Sequence, residues 1–243
     1  MAERTPLVLV PGLLCDTALW RQQLAHLADV AAMTVADVAA CDSMAAMAEA
    51  VLAQAPPGAF ALAGLSMGGY VALEIMRRAP GRVLRLALLD TSARLDSAEQ
   101  RERRLAMIAQ AEKGDFQGVT DRLLPLFIHP DRVGDPTLAD EVKAMTRRAG
   151  KDAFLRCQKA IMGRPDSRAR LGEIVKPTLV LVGRQDVLTP PEVHAELAAR
   201  IPRARLVVIE NCGHLSTMER PEAVSAVMRY WLQDEGGAAR PSD

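Results

Sequence analysis

The sequence predicts an α/β protein in which a mostly parallel sheet of about six strands is flanked by helices and interrupted by a helical insertion. Short apolar runs alternate with helical patterns up to Asp90 and resume at Thr178, which is typical of a parallel sheet covered by helices. Between residues 93 and 176 the strand pattern is absent and apolar residues recur at helical spacing. At 243 residues, 49% of them hydrophobic, the chain can bury one large core beside such an insertion. The predicted parts are a core of residues 1–92 and 177–234, an inserted helical cap of residues 93–176 and a frayed tail of residues 235–243.

The first predicted strand is the buried run Leu7–Val10, and a turn follows it at Pro11 and Gly12. A loop between an early parallel strand and the next helix can direct a free backbone N–H toward a developing negative charge. The amide of Leu13 is the candidate donor in this loop, although an ordinary Pro-Gly turn has the same sequence pattern. Trp20, in the helical pattern that follows, is predicted to brace the first helix against the loop.

The pentapeptide Gly64-Leu65-Ser66-Met67-Gly68 is the most informative motif of the chain, because it joins an apolar run, Phe60–Ala63, to an amphipathic helical pattern. In Gly-x-Ser-x-Gly the serine occupies a sharp turn between strand and helix, where bulky neighbours would clash. Such a turn exposes the hydroxyl of Ser66, and the helix that begins near Met67 directs free backbone N–H groups toward whatever the serine attacks. The motif indicates a nucleophile at Ser66 and a second N–H donor at Met67. A helix start with a serine cap and flexible glycines is the alternative.

Two aspartates are candidates for an acid that orients a catalytic histidine, and each follows a strand-like run. The two runs are Leu86–Leu89 and Thr178–Val182. Asp186 is favoured because Gly183 permits a tight turn after the strand and a new helix begins a few residues later, which leaves the carboxylate on a short, stiff loop. Asp90 has an alternative structural role, since with Thr91 and Ser92 it can form a turn that satisfies local N–H groups.

The candidate base is His214, which follows the predicted strand Leu206–Ile209 on a loop at the carboxyl end of that strand. A serine hydroxyl is a poor nucleophile at neutral pH and needs a neutral imidazole within hydrogen-bond reach to take its proton. Gly213 gives the backbone freedom to turn the imidazole inward, and a helix from Pro221 to Leu232 closes the fold behind it. A purely structural histidine is the alternative.

The insertion is expected to lie over the carboxyl edge of the sheet, where open α/β sheets place their ligands. Its leucines, methionines and few aromatic residues predict an apolar pocket that excludes water, although each of them can equally pack the insertion onto the core. His129, beside Pro130, has a surface position as its alternative. The candidate pocket residues are Trp20, Leu124, Phe127, His129 and Met162.

The charge balance favours a neutral or weakly charged small molecule as the substrate. The chain has 30 basic and 30 acidic residues, so no overall field favours nucleic acid or an anionic membrane. No apolar run approaches the roughly 20 residues of a membrane span, and the start has no export pattern, so we expect a cytoplasmic protein. The four cysteines are scattered without paired spacing, which predicts free thiols and neither a disulfide framework nor a zinc site.

With these segments in chain order, the sequence resembles the α/β-hydrolase superfamily, and within it the small capped bacterial carboxylesterases and enol-lactonase-like hydrolases. The resemblance implies a Ser66–His214–Asp186 triad, an oxyanion hole formed by the amides of Leu13 and Met67, and hydrolysis of a small to medium carboxylic ester or lactone through an acyl-enzyme, without a cofactor or metal. Two departures are evident. Pro11-Gly12 replaces the usual His-Gly, and only Met1 to Pro6 precede the first motif strand, so the N-terminal hairpin of the family is expected to be missing.

The resemblance leaves the substrate open because one fold supports many chemistries. A thioesterase, a carbon–carbon bond hydrolase or a cofactor-free perhydrolase would use the same triad. A non-catalytic receptor that retains the pocket is the alternative of another class. The sequence does not decide between a monomer and a homodimer.

Overall fold

The centre of the molecule is a parallel sheet with the strand order β2-β1-β3-β4-β5-β6. The structure is a computed structural model that describes residues 4–114 and 116–234, so the tail predicted for residues 235–243 lies outside the described residues. The strands are Thr5–Val10 (β1), Ala31–Val35 (β2), Phe60–Leu65 (β3), Val83–Leu89 (β4), Thr178–Gly183 (β5) and Ala204–Ile209 (β6). The predicted fold class is confirmed, although β2 is not among the apolar runs from which the sheet is predicted.

Both faces of the sheet are covered. Alternate residues of β1 point to opposite sides, with Val8 and Val10 in one buried apolar cluster and Leu7 and Leu9 in the other. Strands β3 and β5 are buried along their whole length. A parallel strand between two layers of helices must be apolar on both sides, which explains why these strands appear in the sequence as continuous apolar runs.

The helices divide between the two faces of the sheet. They are Arg21–His26 (α1), Met44–Gln54 (α2), Met67–Arg78 (α3), Ala98–Glu112 (α4), Pro136–Met162 (α5), Pro191–Arg200 (α6), Ser216–Glu219 (α7) and Pro221–Gln233 (α8). Helices α2, α3 and α6 pack on the face of Val8 and Val10, whereas α1 and α8 pack on the face of Leu7 and Leu9. Within the described ranges, no helix has both the length and the apolar character of a membrane span.

Helices α4 and α5 lie in the segment between β4 and β5, and α5 reaches over the loops at the carboxyl ends of the first two strands. Arg148 Nε donates to Asp16 Oδ2 at 2.8 Å after β1. After β2, Arg156 Nε donates to the carbonyl of Ala39 at 2.9 Å. Gly150 interrupts the helical dihedral angles of α5 with φ of +78°, so the helix bends there. These contacts place α5 beside the edge of the sheet where the sequence predicts a cap.

Candidate active site

Ser66 occupies a strained turn between β3 and α3. Its φ of +55° and ψ of −117° are dihedral angles that residues with a side chain rarely adopt. Three hydrogen bonds hold the turn. Ser66 N–H donates to the carbonyl of Leu89 at 3.0 Å, and the carbonyl of Ser66 accepts from Thr91 Oγ1 at 2.7 Å and from Gly69 N–H at 2.9 Å. Backbone strain of this kind persists only where the surroundings over-determine the conformation, so the turn is built to present the serine side chain.

The two glycines of the motif are required by close backbone contacts. A Cβ on Gly64 would lie 2.2 Å from the carbonyl oxygen of Gly68, and a Cβ on Gly68 would lie 2.1 Å from that of Val10. Both contacts are with backbone atoms, so no rotation of a flexible side chain could relieve them. The steric reason for small residues on both sides of Ser66 is therefore present in the structure.

The loop after β1 lies directly beside the turn at Ser66. A Cβ on Gly12 would be 3.3 Å from the Cβ of Ser66. The loop closes through a hydrogen bond from Cys15 N–H to the carbonyl of Gly12 at 3.1 Å. Within the part of the chain that the structure describes, the N–H groups of Leu13 and Met67 donate to no other protein group. The two positions therefore have unpaired backbone donors, and their role toward a substrate oxygen stays a prediction.

His214 and Asp186 form a buried pair at the same edge of the sheet. His214 Nδ1–H donates to Asp186 Oδ2 at 2.8 Å, and the two side chains are 4% and 0% exposed. Thr189 Oγ1 also donates to Oδ2 at 2.6 Å, while Asp186 Oδ1 accepts from the N–H groups of Leu188 and Thr189 at 2.9 and 3.0 Å. These bonds fix the carboxylate, and the carboxylate in turn orients the imidazole. Among the described residues, no hydrogen bond joins Nε2 of His214 to Ser66 or to another protein group.

His214 and Asp186 shift each other's pKa values. Burial alone would lower the pKa of His214, but the charge of Asp186 and its hydrogen bond outweigh burial and raise that pKa above its ordinary value. Burial alone would raise the pKa of Asp186, but the His214 charge and the bonds from His214 and Thr189 outweigh it and lower that pKa. The pair is therefore arranged to stabilise an imidazolium, which is the species that forms when a base accepts a proton.

Asp90, the other candidate acid, bonds to Gly183 and Ser216 instead of to the imidazole. It is fully buried with φ of +45°, and its carboxylate accepts from Gly183 N–H at 3.0 Å and from Ser216 Oγ at 2.5 Å rather than from Thr91 or Ser92. Burial, followed by the charge of Asp186, raises its pKa well above the ordinary value. Asp90 thus links the loop that carries Asp186 to the segment that follows His214. It neither orients the imidazole nor closes a local turn with Thr91 and Ser92.

Comparison with known proteins assigns this architecture to a family. The model of the alpha/beta hydrolase family matches residues 7–227. The chain belongs to the α/β-hydrolase family. This α/β-hydrolase is 31% identical over 189 residues to a pimeloyl-[acyl-carrier protein] methyl ester esterase of Nitrosomonas europaea, an alignment that covers 75% of each chain.

Two solved structures resemble this α/β-hydrolase closely. A thermophilic esterase from Thermogutta terrifontis aligns with a TM-score of 0.85 and 31% identity, over 94% of this chain and 89% of that one. The enol-lactonase from Burkholderia xenovorans LB400 also gives a TM-score of 0.85, at 23% identity, over 96% of this chain and 93% of that one. The second likeness shows a shared fold, and the resemblance predicted from the motifs is confirmed.

A second buried histidine, His194, supports the turn at Ser66 in this α/β-hydrolase, and no motif in the sequence predicts it. His194 in α6 accepts from Thr91 N–H at its Nε2, at 2.8 Å, and donates from Nδ1 to the carbonyl of Pro190 at 3.3 Å. Burial lowers the pKa of His194 to about 4, so it stays neutral. Thr91 in turn donates to the carbonyl of Ser66, so His194 stabilises the turn at Ser66 through Thr91. A single histidine within a helical pattern gives no sign of such a role.

The predicted pocket residues of this α/β-hydrolase have different surroundings. Phe127 meets His214 edge-on, with ring centroids 6.4 Å apart. Trp20 and Leu124 are buried in the apolar cluster on the side of α1 and α8. His129 is buried rather than on the surface, and Met162, the last residue of α5, is partly exposed. The structure thus brings Phe127 to the candidate site, and the pocket role of the other four residues stays a prediction.

Proposed function

We propose that the chain is a cofactor-independent serine esterase that hydrolyses a small to medium carboxylic ester through an acyl-enzyme intermediate. The observation that carries the proposal is the strained turn at Ser66, which lies at the same edge of the sheet as the buried His214–Asp186 pair. The esterases among the similar proteins support ester hydrolysis as the reaction. We propose further that residues 93–176 act as a cap that supplies an apolar wall, with Phe127 beside the imidazole.

In the proposed reaction, Ser66 Oγ attacks the ester carbonyl carbon while His214 Nε2 takes the hydroxyl proton. The negative charge that develops on the carbonyl oxygen is stabilised by the N–H groups of Leu13 and Met67. His214 then donates its proton to the leaving alcohol, and the acyl group remains on Ser66. A water molecule that gives a proton to His214 attacks the acyl carbon, and the collapse of this second intermediate returns the proton to Ser66 and releases the carboxylic acid.

The cysteine near the nucleophile does not compete with Ser66. Cys15 lies in the loop beside Ser66, and burial, followed by the charge of Asp16, raises the pKa of its thiol to about 12. The thiolate is the nucleophilic form of cysteine, so this group is inert at neutral pH. Serine chemistry is therefore favoured over thiol chemistry at this edge of the sheet.

The proposal is tested with p-nitrophenyl esters of graded acyl length, run beside lactones and acyl thioesters, and with titration by a fluorophosphonate probe. We expect saturable turnover that is highest for uncharged esters with an apolar acyl part, and stoichiometric labelling of Ser66 that abolishes turnover in proportion. The heat-unfolded protein is the control and should remain unlabelled. Folded protein that binds esters but is neither labelled nor active would instead identify a non-catalytic receptor, and a preference for thioesters or lactones would reassign the substrate class.

The pH dependence of the proposed reaction follows from the raised pKa of His214. Because an imidazolium cannot accept the serine proton, kcat/KM should fall with a single-proton slope as the pH drops through that pKa, with a midpoint above the ordinary value of 6.5. The free energy of unfolding responds in the opposite sense: the contribution of a raised folded-state pKa is complete below the unfolded pKa of about 6.5 and is lost as the pH rises through the folded pKa. kcat/KM is measured across the pH range with an ester that carries no ionisable group, and the free energy of unfolding is measured by denaturant titration at the same pH values. A kcat/KM profile that is flat, or that rises toward acid, would contradict the role of His214.

A further inference from the structure

We infer that Glu219 is a positioning residue for His214, holding the peptide that precedes the imidazole against the inserted segment. The inference rests on the proposed function, in which His214 is the base. Glu219 closes α7 and is 1% exposed. Its carboxylate accepts hydrogen bonds from backbone N–H groups, so it acts on the imidazole through the backbone.

The two carboxylate oxygens of Glu219 serve two segments that are far apart in the chain. Oε1 accepts from Gly213 N–H at 2.8 Å, and Oε2 accepts from His129 N–H at 2.7 Å. Gly213 immediately precedes the proposed base, whereas His129 belongs to the insertion between β4 and β5. One buried carboxylate therefore joins the loop of the base to the segment that walls the site.

Further contacts make these two segments a single unit. Leu215 N–H donates to the carbonyl of Phe127 at 2.9 Å, and Arg132 Nη1 donates to the backbone carbonyl of Glu219. A Cβ on Gly213 would lie 2.7 Å from the carbonyl carbon of Ile128, so the two backbones approach as closely as glycine allows. The edge-on contact of Phe127 with the His214 ring depends on the same packing.

The electrostatics of Glu219 distinguish a carboxylate from its neutral isostere. Burial raises the pKa of Glu219 to about 7, against the opposing effect of the two N–H donors and of Arg132 and Arg220. An ionised carboxylate accepts at both oxygens, whereas a glutamine amide accepts at one and would turn its NH₂ group toward the second N–H donor. Glu219→Gln therefore keeps the volume of the side chain but satisfies only one of the two segments, which leaves a buried donor unpaired.

The expected result for Glu219→Gln is a fall of kcat by about 10- to 100-fold with little change in KM, because a displacement of about 1 Å at the reacting groups is sufficient for a loss of this size. The assay uses the full chain with an uncharged p-nitrophenyl ester, about one pH unit above the pKa of Glu219 so that the wild-type carboxylate is ionised. The rate of Ser66 labelling by the fluorophosphonate probe, expressed per folded molecule, should fall by the same factor as kcat. A role in stability alone would change the folded fraction and leave kcat per folded molecule unchanged.

Glu210→Gln is the matched control, because Glu210 lies on the loop that carries His214, is exposed and pairs with Arg184. It should keep the wild-type kcat. Ser66→Ala is measured in parallel to separate the two hypotheses. If Ser66→Ala retains turnover, the proposed function is wrong and this inference falls with it. If Ser66→Ala is inactive while folded Glu219→Gln keeps the wild-type kcat, only the inference about Glu219 is overturned.

Glu219→Asp covers the case in which the glutamine variant does not fold. This variant keeps the negative charge, but its side chain is one methylene shorter and cannot reach both N–H groups. A loss of kcat at unchanged KM in this variant supports the inference, and a wild-type kcat overturns it. Failure of both variants to fold also overturns it, because Glu219 would then be assigned to the stability of the fold rather than to the position of the base.

Discussion

Replacing Ser66 with alanine should lower kcat by about 10,000-fold or more while the protein stays folded. The hydroxyl of Ser66 is the protein group that forms a covalent bond to the substrate in the proposed reaction. Its removal leaves the binding site and the free N–H groups of Leu13 and Met67, which account for residual catalysis over water. Alanine keeps the Cβ and therefore the same backbone strain at φ of +55°, so the free energy of unfolding should change little.

The measurement is kcat on the best p-nitrophenyl ester, together with a thermal unfolding curve for each variant. Ser97→Ala is a suitable control because Ser97 caps α4 in the insertion, where its hydroxyl accepts from Gln100 N–H at 3.1 Å. Loss of the cap should cost about 1 kcal/mol of stability and leave kcat unchanged. A folded Ser66→Ala variant with near-normal turnover would show that another group is the nucleophile.

Asp186→Asn should lower kcat by about 1,000- to 10,000-fold. Asparagine preserves the shape of the side chain but removes the charge that stabilises the imidazolium. Its NH₂ group facing Nδ1 would also favour the tautomer whose proton is on Nε2, which cannot accept the proton of Ser66. The pKa of His214 should fall as well, because burial, which lowers it, is no longer outweighed by the charge of Asp186. The midpoint of the kcat/KM profile should therefore move toward acid.

Asp90→Asn provides the matched comparison, since both aspartates are buried at carboxyl ends of neighbouring strands. The asparagine of this variant keeps an oxygen for Gly183 N–H, and the hydroxyl of Ser216 can rotate to accept from its NH₂ group. The loss of kcat should therefore be no more than about tenfold, with a midpoint close to that of the wild type. A larger loss for Asp90→Asn than for Asp186→Asn would mean that the two carboxylates have been assigned the wrong way round.

Local patterns in the sequence are sufficient to predict five of the six strands and to select candidate site residues in the loops that follow them. Strands buried on both faces must be apolar along their length, and β3 and β5 are, so they were evident without coordinates. Strand β2, with the sequence Ala-Ala-Met-Thr-Val, is partly exposed along most of its length and has no such run. It escaped prediction because its place in the sheet depends on pairing with β1, which is a tertiary property.

The supporting residues of the site escaped prediction for a related reason. Glu219 bonds to a residue 90 positions away, and His194 bonds to one 103 positions away. No spacing rule connects residues at such separations, and a buried carboxylate has the same letter in the sequence as an exposed one. The preference for Asp186 over Asp90 is predictable because it depends on a local property, the stiffness of a short loop. The hydrogen bond between Asp186 and His214 Nδ1 agrees with this preference.

The dihedral angles of Ser66 imply a trade-off between stability and activity. A residue with a Cβ in this conformation costs about 1–3 kcal/mol relative to a relaxed backbone, and glycine would remove most of that cost. Glycine is thus the residue that this turn would accommodate at the lowest cost in stability, yet the chain carries a serine there. Replacing Ser66 with glycine should therefore raise the free energy of unfolding, and it would remove the hydroxyl on which the proposed reaction depends.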